Sequence, residues 1–353
     1  MVEDDLIINF NDLILITGSN GFIGSKVVET LLSYGFRNLR CFVRPSSNLT
    51  NLYEIIGSFN EAKVELVKGN LHSFDDCKRA TVEVSVIFHL AAGIEKSFPG
   101  CFMNSVVTTK NLLDSTLENN SLKRFLNVSS FAVYSNMNIK RHELLDETCE
   151  IESKFMQRYN AYCYGKAKQD EVVFEYSKRY NIPYVIVRPG AVYGPGTRQL
   201  IPPRVGTGTF GVFLLLGGSN RLPLTYIDNC ADAIVLAGVK KGIDGEIFNI
   251  VDDDLPKNRK FLRMYKENVE HFLSICVPYR MFYLFCYLWE KYSKWSDEQL
   301  PPVFNRRKCA ALWKGNRYSN EKIKNLVGWK PKISFNEASK CYFEYLKKLE
   351  SNL

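Results

Sequence analysis

Tyr164 and Lys168 stand four residues apart in Tyr164-Gly165-Lys166-Ala167-Lys168, a spacing that puts a phenol and an ammonium on one face of a helix. A free phenol ionises near pH 10 (roughly) and is a poor base at neutrality; a neighbouring ammonium stabilises the phenolate and brings it into a useful range. Such a pair can take or return the proton of an alcohol, and the lysine can also reach a ribose hydroxyl. Tyr162 and Lys166 offer a rival pair with the same spacing. Upstream, Phe125-Leu126-Asn127-Val128 reads as a strand that delivers Ser129 and Ser130 to its carboxyl end.

These groups need a frame. Residues 13–17 form a short apolar run, and strand-like runs recur at 39–43, 64–67, 84–90, 124–128 and 184–188. Helix-like stretches lie between them, as at 105–118 and 164–178. Strands alternating with helices predict an α/β fold of the Rossmann type: a doubly wound parallel sheet with its ligand at the strands' carboxyl ends. Beyond about residue 190, Gly and Pro cluster over 189–223, followed by helix-like 226–239, strand-like 247–251 and an amphipathic 335–349. The division expected is a dinucleotide-binding domain over 1–190 and a smaller substrate-binding lobe over 191–353, some of whose segments return to the sheet.

Thr17-Gly18-Ser19-Asn20-Gly21-Phe22-Ile23-Gly24 follows the first strand and opens a helix. Glycines there allow a tight turn, close approach to a pyrophosphate and close helix packing, and the helix N-terminus attracts the phosphates. The second strand ends in Arg44 rather than an acid. An arginine there pairs with the 2′-phosphate of NADP, and Ser46 and Ser47 add donors, so NADP is expected over NAD.

With 353 residues, 46% hydrophobic and 24% charged, the chain has the composition of a globular protein. Its start, Met1-Val2-Glu3-Asp4-Asp5, carries no secretory pattern, and the ten cysteines include no C-x-x-C pair, which suits a cytoplasmic setting with reduced thiols. The four histidines lack metal-ligand spacing, so no metal is expected. Residues 251–353 hold 20 Lys+Arg against 12 Asp+Glu, an excess of 8 that accounts for the whole net charge of +8. Without a basic–aromatic repeat or a binding motif, that surplus does not predict a nucleic-acid partner.

Taken together, several segments resemble the extended short-chain dehydrogenase/reductases, the NAD-dependent epimerase/dehydratase family. They are Thr17-Gly18-x-x-Gly21-Phe22-Ile23-Gly24, His89-Leu90-Ala91-Ala92, Ser129-Ser130-x-x-Val133-Tyr134, Tyr164-Gly165-x-Ala167-Lys168, Arg188-Pro189-Gly190-x-Val192-Tyr193-Gly194-Pro195, Tyr226-Ile227-Asp228-Asn229, and the closing Arg317–Lys322 and Leu326–Pro331. The resemblance implies an enzyme that moves a hydride between nicotinamide C4 and a carbinol or carbonyl carbon. The small residue the family places before its lysine, read as Ala167, selects Tyr164 and Lys168 over the rival pair. The position four residues before the tyrosine of Val133-Tyr134 selects Ser130 over Ser129. The implied cofactor contacts are Gly18, Asn20, Gly21, Phe22, Ile23, Gly24, Arg44, Ser47, Asn70, Leu71, Leu90, Ala91, Ala92, Tyr164, Lys168, Pro189, Gly190 and Val192. The implied substrate contacts are Gly93, Ser130, Phe131, Ala191 and Arg221.

Departures from the family pattern narrow the reaction. Members that eliminate water place Asp-Glu directly after the catalytic hydroxyl, and sugar decarboxylases need a Glu at the second place; here those places hold Phe131 and Ala132. Simple redox chemistry or epimerisation remains. The substrate expected is a nucleotide-linked sugar, the family's commonest class. The alternative is an apolar alcohol or ketone of the hydroxysteroid or dihydroflavonol type, and a non-catalytic NADP-binding protein is a third reading. The aromatic stretch from Phe272 to Trp295 resembles in position a membrane-associated segment of 3β-hydroxysteroid dehydrogenase-like members, and could make peripheral membrane contact or pack as an aromatic lobe. A homodimer is common among such proteins and is expected here.

Overall fold

The computed structural model describes residues 3–119, 121–197, 200–209, 211–297 and 299–350. Its central sheet contains β1 (Ile14–Thr17), β2 (Asn38–Val43), β3 (Lys63–Lys68), β4 (Val86–His89), β5 (Arg124–Val128), β6 (Tyr184–Pro189) and β7 (Ile247–Ile250). All pairings are parallel and the order is β7-β6-β5-β4-β1-β2-β3. Strands β1, β4 and β5 are buried along their whole length, as a sheet covered on both faces requires, which explains their continuous apolar runs. The fold is the Rossmann-type α/β architecture with a C-terminal lobe.

Helices close both faces. On one, α1 (Phe22–Ser33) and α3 (Ile227–Val239) pack Val27, Leu31, Ile234 and Val235 onto Ile14, Ile16 and Phe88. On the other, α2 (Ala161–Tyr180) packs Val173 and Tyr176 with Leu15, Ile87 and Phe125. The chain leaves β1 toward β2 and β3, then crosses back to β4 on the other side of β1. That reversal opens a crevice at the carboxyl ends of β1 and β4.

Segments beyond residue 190 take part in this core: β7 pairs with β6, and α3 lies against α1. The remainder forms the lobe. A three-stranded sheet (Gly206–Thr209, Val212–Leu216, Ser274–Val277) is flanked by two pairs of helices. Asn258–Asn268 and Phe335–Glu350 pack a second core with Tyr193, Leu224, Tyr226, Phe261 and Tyr342, while α4 (Tyr279–Trp295) and Arg306–Trp313 pack a separate one with Leu216, Phe282, Cys286, Cys309 and Trp313. The helix expected over 105–118 begins instead as a wide π turn, Phe102–Val107, before Thr108–Asp114. In that turn Ser105 receives the Gly93 N–H at 2.9 Å.

Candidate active site

The glycine turn after β1 is built from backbone geometry. Gly18 has φ +71°, the left-handed region that glycine tolerates and side chains resist. Its neighbour in space is Ala91, whose amide nitrogen would lie 3.0 Å from any Cβ added at Gly18. At Gly24 a Cβ would sit 2.0 Å from the Gly18 carbonyl oxygen, so α1 can approach the turn only because residue 24 has no side chain. Gly21 caps α1 without a side-chain bond, and Phe22 and Ile23 follow as its first residues, Ile23 packing onto the core. Asn20 is half-buried on the turn.

The expected cofactor residues line the strand ends. Arg44 is exposed just past β2, and its carbonyl accepts the Ser47 N–H at 3.0 Å. Asn70, just past β3, turns its side-chain oxygen inward on its own loop, accepting the His72 N–H at 3.0 Å; Leu71 behind it is buried. Leu90, Ala91 and Ala92 follow β4. Pro189 ends β6, and Gly190, whose N–H donates to the Ile250 carbonyl, lies so close to the Pro223 carbonyl that a Cβ would approach it to 2.3 Å. Ala191 and Val192 continue into a short strand paired with Leu224–Tyr226.

The tyrosine register is where structure and expectation part. Residues 162 and 164 lie about 200° apart on a helix, so only one pair can face the crevice. Tyr162 faces the Ser130 hydroxyl, which favours the ionised form of the phenol, and Lys166 is buried with its Nζ 2.6 Å from the Val128 carbonyl oxygen, just before Ser129 and Ser130. Tyr164 turns the other way, into an aromatic group with Phe98, Phe102 and Phe155 at centroid distances of 5.5, 6.4 and 5.4 Å. Lys168 reaches outward to Glu171 at 2.6 Å. The geometry therefore does not bring Tyr164 and Lys168 to Ser130; it brings Tyr162 and Lys166. Ala167 misled because Gly165 meets the same small-residue requirement. A Cβ at Gly165 would lie 3.1 Å from both the Cβ and the carbonyl oxygen of Cys101, so the residue before Lys166 is the one that must be small.

Two buried hydrogen-bond chains hold Lys166 and Ser129, the neighbour of Ser130, in place. Lys166 donates to Gln169 Oε1 at 2.9 Å, Gln169 donates to Thr109 Oγ1 at 2.8 Å, and Thr109 donates to the Ser105 carbonyl at 2.6 Å. With its proton spent there, Thr109 can only accept from His89, which places the imidazole proton on Nε2 (2.8 Å) and makes Nδ1 the acceptor from Thr17 at 2.7 Å. The chain thus runs from Lys166 to the residue before Gly18. In the second chain Asp170, four residues after Lys166, accepts from Ser129, Asn127 and Arg188 at 2.9, 2.9 and 3.0 Å. Arg188 donates to Tyr134, which donates to Asn249. Neither chain was expected from the sequence; the Asp four residues after Lys166 was the available sign.

Burial sets the charges. It pushes Lys166 down to about 8, with Asp170 pulling the other way, and it raises the Tyr162 phenol against the opposing Ser130 bond. Burial likewise holds His89 at about 3, with the Lys166 charge adding to the effect. An unfolded histidine titrates near ~6.5, so from there down to about 3 the unfolded chain binds a proton that the folded one excludes. Stability is therefore lost on acidification through that window, by on the order of 1.4 kcal/mol per pH unit from this group. Urea unfolding at pH 6.5 and 4.5 should show the loss, and His89→Asn should flatten the slope even though it starts from lower stability.

Phe131 and Ala132, beside Ser130, carry no acid or base: Phe131 is buried against the rings of Tyr134 and Tyr318, and Ala132 holds Arg158 through its carbonyl at 2.8 Å. Arg221, expected at the substrate, is exposed and directs NH1 to the Leu255 carbonyl at 3.3 Å. Among the described residues no cluster suited to a metal occurs.

The model of the NAD dependent epimerase/dehydratase family matches residues 14–251, from β1 through the end of β7. The chain belongs to this family. Like its members it is an extended short-chain dehydrogenase/reductase enzyme that uses a nicotinamide cofactor. Its relatives include mouse sterol-4-alpha-carboxylate 3-dehydrogenase, decarboxylating, 24% identical over 341 residues that cover 92% of this chain and 88% of that protein. Petunia hybrida cinnamoyl-CoA reductase 1 is 26% identical, covering 96% and 92%. Among solved structures, UDP-glucuronic acid 4-epimerase of Bacillus cereus in complex with NAD superposes with a TM-score of 0.69 at 20% identity, covering 96% of this chain and 99% of that one. That likeness establishes the shared fold of the family.

Proposed function

We propose that the enzyme transfers a hydride between nicotinamide C4 and a carbinol or carbonyl carbon, with Tyr162 as proton donor or acceptor, Ser130 holding the substrate oxygen, and Lys166 tuning the phenol. The observation that carries this reading is the Tyr162 phenol facing the Ser130 hydroxyl, with Lys166 tethered to the Val128 carbonyl of the same loop. The cofactor, when bound, supplies or receives the hydride. The three-glycine turn would hold its pyrophosphate, and Lys166 would exchange the Val128 carbonyl for a ribose hydroxyl. With Phe131 and Ala132 flanking Ser130, elimination of water and sugar decarboxylation lack the extra groups they need, which favours redox or epimerisation.

For the cofactor, NADP is favoured by Arg44, exposed at the end of β2 with no acid in its place. Arg44→Asp should move the ratio of kcat/KM for NADPH over NADH toward NADH by tenfold or more; an unchanged ratio would remove Arg44 from the argument.

For the substrate, an alcohol or ketone on a largely apolar skeleton is supported by α4. Met281, Leu284, Phe285, Leu288, Tyr292 and Trp295 recur at helical spacing and are exposed, Trp295 to 78%, while Phe282 and Cys286 on the opposite side are buried. Leu273 and Ile275, just before and within the strand Ser274–Val277, are exposed as well. Such a face, with Arg280, Lys291 and Lys294 alongside, suits the surface of an anionic membrane, from which an apolar substrate would arrive. No helix among the described residues is long and apolar enough to cross a membrane. The full-length relatives named above act on a sterol carboxylate and a cinnamoyl-CoA, which supports the same reading. The nucleotide-linked sugar expected from the sequence is favoured by a different observation, the unneutralised cations near Ser130 described below.

The homodimer expected from the sequence has a candidate face where Phe102, Met103 and Met156 are exposed around a cavity of about 630 Å³ lined by Phe98, Phe155 and Tyr164. The functional test follows NADPH oxidation at 340 nm with hydroxysteroid ketones and cinnamoyl thioesters, and, in the presence of oxidised cofactor, NADPH formation and chromatographic interconversion of UDP-sugars, with and without anionic vesicles. Turnover of a ketone or thioester, enhanced by vesicles to which the protein floats, is the expected result; turnover of UDP-sugars alone would replace this substrate assignment.

A further inference from the structure

Cations gather on one side of the Ser130–Tyr162 pair without carboxylates to neutralise them. Arg158 is 2% exposed, yet its NH1 is met only by the Ala132 and Tyr134 carbonyls, at 2.8 and 3.0 Å, and by Cys163 Sγ at 3.2 Å. Its Nε is buried with no partner. Arg204 directs NH1 to the Ala311 carbonyl at 2.7 Å and to the Tyr318 hydroxyl at 3.5 Å. Lys308 has the Val303 carbonyl at 3.3 Å. Among the described residues no ion pair within 4.0 Å reaches any of the three; Glu152 and Glu290, the acids in this region, are taken by Arg307 and Arg306. The charges also sense one another. Burial lowers Arg204 and Lys308 alike, and the Arg158 charge adds to both shifts, although Tyr318 partly offsets it at Arg204.

Burying unpaired cations costs several kcal/mol (roughly), and an anion placed among them recovers much of it. The location fits a ligand. The Tyr318 ring lies 5.8 Å from the Phe131 ring, and Phe131 follows Ser130, so two packed rings link Arg204 to the segment that carries Ser130. Arg204 and Tyr318 keep partial access to solvent whereas Arg158 is sealed behind them. A guanidinium is also the group best shaped to take two oxygens of a carboxylate or phosphate at once.

We propose that Arg204, flanked by the Tyr318 hydroxyl and backed by the Arg158 charge, is a subsite for an anionic oxygen group, carboxylate or phosphate, of the substrate. This rests on the reading that Ser130, Tyr162 and Lys166 form the reacting centre. It requires a substrate that carries its anionic group away from the carbon that changes oxidation state.

Calorimetric titration of the cofactor-loaded enzyme tests it, with UDP against uridine for phosphate, and deoxycholate below its micellar range against its methyl ester for carboxylate. At least one anion should bind tenfold or more tightly than its neutral partner, and whichever does identifies the source. Arg204→Gln should weaken that binding tenfold or more, Arg204→Lys less, with NADPH affinity unchanged. Tyr318→Phe, which removes only a hydroxyl, should weaken it about threefold and serves if Arg204→Gln does not fold. Equal binding of charged and neutral probes, no binding of either anion, or unchanged affinity in a folded Arg204 variant, with Tyr318→Phe also unchanged, would overturn the subsite. Tyr162→Phe separates the two readings: it should bind the anion as the wild type does, and if it also keeps turnover the catalytic assignment fails while the subsite stands.

Discussion

Tyr162→Phe should lower kcat/KM by about a thousandfold, within the range expected for removing a general acid–base group, while Tyr164→Phe should stay within about twofold of wild type. Both variants keep the ring. At 162 the substitution removes the hydroxyl that faces Ser130. At 164 it removes a hydroxyl from an aromatic group on the far side of α2. NADPH affinity, read by its fluorescence, should change by no more than a few-fold in either, which separates lost chemistry from lost binding. The reverse ranking, with Tyr164→Phe inactive and Tyr162→Phe active, would restore the register expected from the sequence and refute the one assigned from geometry.

Gly24→Ala is the second large effect. The added Cβ would meet the Gly18 carbonyl at 2.0 Å and the Gly18 carbonyl carbon at 2.8 Å, both backbone atoms that no side-chain rotation can relieve. Either α1 moves off the turn or the turn itself opens, and both displace the amides that would face a pyrophosphate. Cofactor affinity should fall a hundredfold or more by equilibrium dialysis. Because α1 also supplies Val27, Val28 and Leu31 to the main core, the cofactor-free melting temperature should fall as well. A variant that binds NADPH normally would show that the turn tolerates a separation the structure does not have.

The fold was legible in the sequence because a covered parallel sheet writes itself as short apolar runs spaced by helices. The glycine turn was legible because backbone crowding leaves few substitutes for glycine. The tyrosine register was not legible from spacing. Tyr162/Lys166 and Tyr164/Lys168 are equivalent along a helix, and Gly165 and Ala167 are both small. What separates them is tertiary: the close pass of Cys101 over Gly165, and the tethering of Lys166 to Val128 and Gln169. The cations Arg158 and Arg204 were hidden for a related reason. They lie 46 positions apart in the chain, and only folding shows that no acid accompanies either.

The return of β7 and α3 to the central sheet bears on how such an enzyme could be recombined. Cutting after residue 190 would leave β6 as a raw sheet edge and strip α1 of the helix packed against it. The lobe is therefore two excursions from one continuous framework, one between residues 194 and 223 and the other between 253 and 318, closed by the C-terminal helix Phe335–Glu350. Exchanging those pieces together, rather than fusing an N-terminal half to a foreign C-terminal half, is the graft that leaves every hydrogen bond of the central sheet in place. It would carry Arg204 in one excursion and α4 in the other, so a recipient would acquire the anion contact and the apolar ridge only as a matched set.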